Sequence, residues 1–399
     1  MSRRIFLLFA AFAPFAFAQD FAPPAPQKLV LHSKILNEDR VILVRMPAAA
    51  QRGKDKYAVL YLTDGDGHIN EIGSTIDFLV NNDRMPPLIV VGITNTDRTR
   101  DLTPTRWDMK LPNGTVIPNP TSGGADKFLD FIQTELMPEI EKRYPTQPYR
   151  VFAGHSLGGL LAIHALITRP NLFNAYIAVS PSLQWDDGKT LHQAQEFFAK
   201  QKEYHKTLYF SLANEGDTPN PMGANFEALQ KTLSGDLPKG FVVKSDRYHD
   251  EDHGSTVLRA HYAGLRTIFA DWQMPRDMMT GMPAGGLQGI EQHAHDLVAR
   301  YGISVSVEAR INQLGYVYLQ TKKIDEALAA FMRNVELYPA SANVYDSLAD
   351  AYEAAGKPDL AIQNVRKAVS TGDANGDPQL PDFRKHLDRL AAADKSAQK

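Results

Sequence analysis

The segment that most constrains the fold runs from Val151 to Leu166 and reads VFAGHSLGGLLAIHAL. It begins with a short apolar run, continues through a serine bracketed by glycines, and ends with an amphipathic run. Gly154 and Gly158 flank Ser156 at two residues on either side, and glycines there let a strand and a helix approach without clashes between Cβ atoms. The pattern predicts a strand, a sharp turn that exposes the serine hydroxyl, and a helix.

Apolar and helical segments alternate over the first two thirds of the chain. Solid apolar runs such as 57–63 and 87–94 are typical of strands buried on both faces. Residues 69–80 and 125–144 have helical spacing instead. Because strands that alternate with helices pack as a largely parallel sheet, the sequence predicts an α/β fold. We expect a doubly wound, mostly parallel sheet covered by helices on both faces and ending near Asp271.

Two segments near the carboxyl terminus resemble each other at an offset of 34 residues. The equivalent pairs are Gly315 with Ala349, Tyr318 with Tyr352, Ala327 with Ala361, and Phe331 with Val365. Small residues at helix crossings with this period are similar to the tetratricopeptide repeat. Because about three repeats are usually needed for stability, we expect flanking helices to cap the pair, or the pair to dock on the first domain.

The first residues predict export. Arg3 and Arg4 precede an apolar core, and Ala16-Phe17-Ala18 fits cleavage after Ala18. The apolar run is shorter than the roughly 20 residues of a membrane span and contains Pro14. We therefore expect a signal peptide and a periplasmic location, with full secretion as the alternative.

The chain divides into six predicted segments. They are a signal peptide (1–18), a proline-rich lead (19–27), an α/β domain (28–271), a linker (272–288), a small all-α tetratricopeptide-like domain (289–393) and a polar tail (394–399).

Composition excludes several classes of function. The chain has no cysteine, which excludes disulfides, thiol catalysis and thiolate metal sites. Its net charge is −3 and it lacks a long basic block, so there is no electrostatic basis for binding nucleic acid. The DGDG sequence at 64–67 matches only the start of a calcium loop. We expect no metal, no cofactor and no membrane span.

A serine nucleophile needs a general base, because a hydroxyl at its ordinary pKa is a weak nucleophile. When the serine sits on such a turn, the acid and then the histidine follow it in the chain. The last strand leads into YHDEDHGST, where His253 lies just before a helix and His249 is the alternative. The strand before it ends in NEGD, which offers Glu215, favoured by its placement, or Asp217 as the acid.

Two backbone amides are candidates for the oxyanion hole. The Leu157 N–H begins the helix after Ser156, where the helix dipole also favours an anion. The turn DGDG follows an earlier strand and brings the Asp66 N–H toward the serine.

The polar segment 95–124 is long and lacks clear periodicity. Such a loop inside a compact domain is usually functional or disordered. Four of its side chains suit an anionic, aromatic ligand by charge and stacking: Arg98, Arg100, Arg106 and Trp107. The alternatives are a substrate loop or lid and a solvated loop face.

Seven motifs between residues 28 and 270 resemble the esterase D group of the α/β-hydrolases. They are YLTDGDGHIN, RTRDLTP, GGADKFLDFI, GHSLGG, SPSLQWDD, NEG and DEDHGST. The set is most similar to the siderophore-esterase branch, which acts on enterobactin- and salmochelin-type esters. The resemblance implies an α/β-hydrolase fold, Ser156 and His253 as catalytic residues, the amides of Asp66 and Leu157 as the oxyanion hole, and an acid within NEGD. It does not determine the substrate, because the group also includes S-formylglutathione hydrolases, carbohydrate-acyl esterases and mycolyltransferases.

Three functions follow as hypotheses. The first is a serine carboxylic-ester hydrolase that forms an acyl-enzyme, with siderophore-type esters as substrates. The second is an esterase for acyl sugars, such as feruloyl or acetyl esters, or for small esters. The third is a binding or adaptor protein that uses its helical repeats. In either enzyme the repeats are expected to mediate oligomerisation, to bind a protein partner or to cover the active site.

Overall fold

The computed structural model describes residues 25–51, 55–110, 113–216 and 221–397. The predicted signal peptide (1–18) and most of the proline-rich lead (19–27) lie outside these residues. Within them, the chain forms an α/β domain followed by a run of helices.

An eight-stranded sheet is the centre of the first domain. The strands of the described chain are β1 (Gln27–Ser33), β2 (Glu38–Arg45), β3 (Tyr57–Leu62), β4 (Leu88–Ile93), β5 (Met109–Lys110), β6 (Val116–Ile117), β7 (Thr146–His155), β8 (Ala175–Val179), β9 (Thr207–Ala213) and β10 (Val242–Tyr248). β5 and β6 form a separate hairpin, and the others follow the order β1-β2-β4-β3-β7-β8-β9-β10. Only the β1–β2 and β2–β4 pairs of this sheet are antiparallel, which confirms the prediction of a mostly parallel sheet.

The central strands are buried on both faces. Every residue of β3, β4, β8 and β9 is buried, which explains why these segments read as continuous apolar runs. The edge strand β10 is only partly covered and carries four consecutive polar residues, 244–247.

Helices cover both faces of the sheet. They are α1 (Gly65–Asn81), α2 (Arg98–Leu102), α3 (Ala125–Phe131), α4 (Met137–Arg143), α5 (Leu157–Thr168), α6 (Lys189–Phe198), α7 (Pro221–Thr232) and α8 (Thr256–Ile268). A π-helical turn, Ile132–Leu136, joins α3 to α4, so the long helix predicted over 125–144 is present with one wider turn. Apolar side chains of α1 and α8 pack in one core, and those of α3 to α7 pack in the other.

The carboxyl-terminal part is all helical. It contains α9 (Gly286–Tyr301), α10 (Glu308–Gln320), α11 (Ile324–Leu337), α12 (Ala342–Ala354), α13 (Pro358–Asn375) and α14 (Leu380–Ala397). α12 begins 34 residues after α10, and α13 begins 34 residues after α11, as the repeat predicts. A Cβ at Gly315 would lie 2.5 Å from the buried ring of Phe331, so a glycine lets α10 cross α11 at this point.

Two predicted boundaries of this part differ from the structure. α9 begins at Gly286, inside the predicted linker, and its Leu297 and Tyr301 side chains belong to a core of the α/β domain. Tyr301 Oη donates a hydrogen bond to the Ile268 carbonyl, and its ring lies 5.4 Å from that of Tyr149. The predicted polar tail is helical through Ala397, because α14 continues beyond residue 393.

The helical part docks on the α/β domain at the amino ends of the parallel strands. Ser304 N donates to Gln147 Oε1 near the start of β7, and Arg310 pairs with Asp83, which precedes β4. Among the described residues, no helix is both long enough and apolar enough to cross a membrane.

Candidate active site

Ser156 occupies a strained turn between β7 and α5. Its φ of 61° and ψ of −115° are rare for a residue with a side chain. A Cβ at Gly154 would collide with the Gly158 carbonyl, and a Cβ at Gly158 would collide with Thr63 Oγ1. The two glycines therefore allow strand, turn and helix to meet, as the sequence predicts, and the turn holds the Ser156 hydroxyl at the carboxyl end of β7.

Two helices begin side by side at this edge of the sheet. α5 begins at Leu157, and α1 begins at Gly65 directly after β3, the parallel neighbour of β7. The prediction that this helix starts at Ile69 is wrong: Asp64 adopts a left-handed conformation and begins the helix one turn earlier. Gly65 makes this early start possible, because a Cβ there would overlap the backbone of Gly92 in β4.

The early start of α1 changes the setting of the Asp66 amide. Asp66 and Leu157 both lie in the first turn of a helix, where backbone N–H groups have no intrahelical acceptor. The two helix dipoles also place partial positive charge at this edge. Both amides proposed for the oxyanion hole are therefore helix amino-terminal donors.

His253 and Glu215 form a hydrogen-bonded pair. His253 Nδ1 lies 2.9 Å from Glu215 Oε1, which leaves Nε2 as the ring nitrogen available for proton transfer. Burial opposes ionisation of Glu215, but its hydrogen bond with His253, the charge of that ring and a hydrogen bond from Ser180 outweigh it, so the pKa of Glu215 is lowered. The side chain of Glu215 is 9% exposed and that of His253 is 40% exposed. A buried carboxylate thus holds a more accessible imidazole.

Backbone contacts bring the two loops of this pair together. Asn214 N donates to the Glu251 carbonyl at 2.8 Å, so the loop after β9 is attached to the loop after β10. Asp252 Oδ1 accepts hydrogen bonds from the Gly254 and Ser255 amides and shapes the turn that carries His253. His249, the alternative base, is exposed in the same loop. Asp217, the alternative acid, lies outside the described residues.

The Ser156 hydroxyl has a second serine as its neighbour. Ser156 Oγ lies 3.3 Å from Ser182 Oγ, and Ser182 N donates to the Ser156 carbonyl at 3.1 Å. Within the described part of the chain this is the hydrogen bond of the Ser156 hydroxyl, and no direct bond joins it to His253. Catalytic hydrogen bonds are often long in the absence of substrate and shorten only in the complex.

His155, next to Ser156, packs against His253 of the His253–Glu215 pair. Its ring centroid lies 4.5 Å from that of His253, with 45° between the ring planes. Burial, followed by the charge of His253, lowers the pKa of His155 to about 4. His155 is therefore neutral near pH 7.

Arg98 connects three parts of the site. Its guanidinium donates to both carboxylate oxygens of Asp64, at 2.6 and 3.0 Å, and to the His155 carbonyl at 3.2 Å. Burial opposes ionisation of Asp64, but hydrogen bonds from Arg98 and Asn95 and the charge of Arg98 lower its pKa. Arg98 thus braces the start of α1 against the residue that precedes Ser156.

Arg100 does not have the substrate-binding position that the sequence predicts. Its guanidinium bonds both oxygens of Glu38 and one oxygen of Asp101, at 2.6 to 3.0 Å. Arg40, buried beneath, pairs with the same two carboxylates. We therefore reassign Arg100 to the ion-pair network that attaches α2 to β2.

The other two residues of the predicted substrate loop remain accessible in part. Arg106 is exposed; it donates to the Pro120 carbonyl and lies 3.8 Å from Asp108. Trp107 packs edge-to-face on Trp185, with ring centroids 5.1 Å apart. Trp185 Nε1 donates to the Thr105 carbonyl, which attaches the loop to the segment that carries Ser182.

Sequence reasoning missed four contributors: Asp64, His155, Ser182 and Trp185. Asp64 and His155 lie inside the motifs that also contain Asp66 and Ser156. Ser182 and Trp185 lie in SPSLQWDD. The resemblance of SPSLQWDD to the family motif is the one signal in the sequence for Ser182 and Trp185. Spacing along the chain does not reveal the contact between Ser182 and Ser156.

One protein-family model covers most of the α/β domain. The model of the Esterase family matches residues 33–246, more than half of the chain. The chain belongs to this family. A tetratricopeptide-repeat model also matches residues 311–341 of the esterase.

Several known proteins are similar to the esterase. The ferri-bacillibactin esterase BesA of Bacillus subtilis (strain 168) is 30% identical over 257 residues, which cover 59% of this chain and 87% of that protein. The siderophore triacetylfusarinine C esterase of Aspergillus fumigatus is 34% identical over 175 residues, which cover 38% of this chain and 60% of that protein. The solved structure of an IroE-like serine hydrolase from Shewanella oneidensis is 30% identical, with a TM-score of 0.66 over 78% of this chain and 99% of that one. Fold and family are therefore those of serine ester hydrolases.

Proposed function

We propose that the esterase hydrolyses carboxylic esters through an acyl-enzyme on Ser156. The observation that carries the proposal is the His253–Glu215 hydrogen bond, at the carboxyl edge where the strained turn presents Ser156. The carboxylate fixes the tautomer in which Nε2 is free to accept a proton.

The reaction follows from this arrangement. As substrate enters, the Ser156 hydroxyl leaves Ser182 and transfers its proton to His253 Nε2 while Oγ attacks the ester carbonyl. The amides of Asp66 and Leu157 stabilise the oxyanion. The tetrahedral adduct collapses by breaking the bond to the alcohol oxygen, which takes the proton from His253. Water then attacks the acyl carbon while the same imidazole takes a proton from it. The bond between the acyl carbon and Ser156 Oγ breaks, Oγ regains the proton from His253, and the acid is released.

Siderophore-type esters are the proposed substrate class. The support is the likeness to proteins named as siderophore esterases, together with two features of the loop over the site. Arg106 offers an exposed cation, and the partly exposed ring of Trp107, packed on the buried Trp185, offers aromatic surface. Arg98 is a weaker candidate for an anionic group, because Asp64 already neutralises it.

The first experiment compares wild type with Ser156→Ala on p-nitrophenyl acetate and butyrate and on a ferric catecholate trilactone. Ser234→Ala is the matched control, because Ser234 is exposed and its hydroxyl bonds only the local Lys231 carbonyl. We expect Ser156→Ala to lose at least about a thousandfold in rate and Ser234→Ala to lose none. Fast trilactone cleavage supports the siderophore class; activity on feruloyl or acetyl sugars alone would favour acyl-sugar substrates. If the wild type hydrolyses none of these esters, the proposed activity is wrong.

We further propose that the esterase is exported to the periplasm. The support is the basic, then apolar, then small-residue order of residues 1–18. Fractionation of expressing bacteria, with amino-terminal sequencing of the product, tests this: we expect a periplasmic protein that begins at Gln19. A protein that keeps Met1 and stays in the cytoplasm would contradict the proposal.

The helical repeats are proposed to bind a protein partner or a second copy. Their dock at the amino ends of the strands lies opposite the carboxyl edge that carries Ser156, so covering the active site of the same chain is not part of the proposal. Light scattering of the purified protein measures self-association directly. A monomer at all concentrations would contradict binding of a second copy, and the proposal would then be a different protein partner.

A further inference from the structure

The ring of His253 is restrained by few contacts. Glu215 holds Nδ1, but a single hydrogen bond only partly restrains the rotation of the imidazole about its side-chain torsions. The side chain of His253 is 40% exposed, so solvent borders much of the ring. The aromatic contact of His253 within the described residues is the ring of His155, at 4.5 Å between centroids.

His155 itself is rigidly placed. It is the last residue of β7, where it pairs with Val179 of β8, and its carbonyl accepts a hydrogen bond from Arg98. Its Nε2 is buried and has no hydrogen-bond partner among the described residues. The ring behind it is that of His68, edge-on at 6.1 Å. A ring fixed by the sheet therefore lies against a ring that must hold its orientation.

We propose that His155 is a positioning residue for the proposed hydrolysis: its ring face keeps the His253 imidazole in the plane from which Nε2 reaches Ser156. The proposal rests on the proposed function and adds a residue to it. A misplacement of about 1 Å at a catalytic group can reduce the rate a hundredfold. A rigid neighbour on one face removes the rotation that the single hydrogen bond permits.

The charge of His155 suits this role. When His253 takes the Ser156 proton it becomes an imidazolium, and a cation against its face would repel it. Burial keeps His155 neutral, since its pKa is lowered to about 4. Among the described residues, charged or titratable groups near the two rings include Glu215 and Asp252 at His253, and Asp64 and His68 at His155. The neutral ring thus leaves the carboxylates to stabilise the imidazolium.

Two substitutions separate the ring face from the polar atoms of His155. His155→Phe keeps a flat, neutral ring but loses both ring nitrogens: Nε2, which has no partner among the described residues, and with Nδ1 the hydrogen bond to the His253 backbone. His155→Gln keeps a polar side chain that can bond the His253 backbone, a bond that contributes to the pKa of His155, but it removes the ring. We expect kcat on p-nitrophenyl butyrate to stay within about threefold for Phe and to fall about 10- to 100-fold for Gln, with KM unchanged in both.

A readout that does not need turnover accompanies the kinetics. The Nδ1–H proton of His253 gives a resolved NMR resonance when the ring stays on Glu215, and it exchanges with water when the ring swings away. We expect the resonance in wild type and in His155→Phe, and its loss by exchange in His155→Gln. Thermal melts identify a variant that has simply unfolded.

The outcomes distinguish failure of the positioning role of His155 from failure of the proposed ester hydrolysis. If kcat and the resonance are lost in His155→Phe as well as in His155→Gln, the ring face does not position His253. If His155→Gln behaves like wild type, the positioning role is also wrong. If wild type cleaves no ester, the proposed function fails, while the NMR comparison still accepts or rejects the contact between the rings.

Discussion

Acidification should destabilise the protein through His155, because the folded chain resists protonation there. The pKa of this side chain falls from 6.5 to about 4 on folding, through burial and then the charge of His253. A base with a lowered folded pKa stabilises the fold fully above about pH 6.5, and that contribution is lost as the pH falls toward 4. Between pH 7 and pH 5 the unfolded chain takes up most of one proton at His155, whereas the folded chain takes up almost none. At about 1.4 kcal/mol per proton and pH unit, this lowers the free energy of unfolding by about 2 kcal/mol.

The assay is urea unfolding of wild type and His155→Phe at pH 7, 6 and 5, followed by circular dichroism. His68 and His164, whose pKa values burial also lowers, are present in both proteins, so the effect of His164 cancels in the difference and that of His68 cancels apart from its interaction with His155. We expect the variant to lose about 2 kcal/mol less stability than wild type over this range. His295→Phe is the control, because His295 is exposed and should change the pH dependence little. Parallel pH dependence of wild type and His155→Phe would refute the account of a buried neutral ring.

Three further predictions test other parts of the molecule. Glu215→Gln should lower kcat by about 10²- to 10⁴-fold with little change in KM, because it removes the charge that stabilises the imidazolium; steady-state kinetics measure this, and an unchanged kcat would point to another acid. Gly315→Ala should cost about 1–3 kcal/mol, because the new Cβ would lie 2.5 Å from the Phe331 ring; Gly67→Ala, which meets nothing within 4 Å, is the control in the same thermal melt. A chain cut after residue 284 should melt lower or aggregate, whereas one cut after residue 306 keeps α9 in the core and should stay folded; equal melting temperatures would contradict the shared core.

Much of the fold could be predicted because local patterns and tertiary packing agree. The fully buried strands are continuous apolar runs, and the glycines around Ser156 have an evident steric purpose. The place of Glu215 after β9 favours it as the acid, and the structure brings it to His253 although 38 residues separate them. Parallel strands make this possible, because their carboxyl ends collect loops that are distant in the chain.

The rest depends on contacts that spacing does not encode. Arg98 and Arg100 are two residues apart in the same short helix, yet one braces the turn that carries Ser156 and the other joins an ion-pair network on β2. The start of α1 depends on the left-handed conformation of Asp64. Aspartate tolerates this conformation, but the residue type alone does not predict it. The boundary near α9 cannot be located from the sequence, because Leu297 and Tyr301 resemble ordinary helix residues while their packing partners lie in the α/β domain.

The dock of the repeats at the amino ends of the strands has a consequence for how the enzyme could be recruited. A partner held by α10 to α14 would be anchored on the side of the molecule remote from Ser156. Substrate would then reach the catalytic edge as freely in the tethered enzyme as in solution, so anchoring and turnover would not compete for the same surface. Through α9, which belongs to both parts, the anchor is joined to the catalytic domain by a shared core, so the direction in which the active site faces would be fixed with respect to the partner.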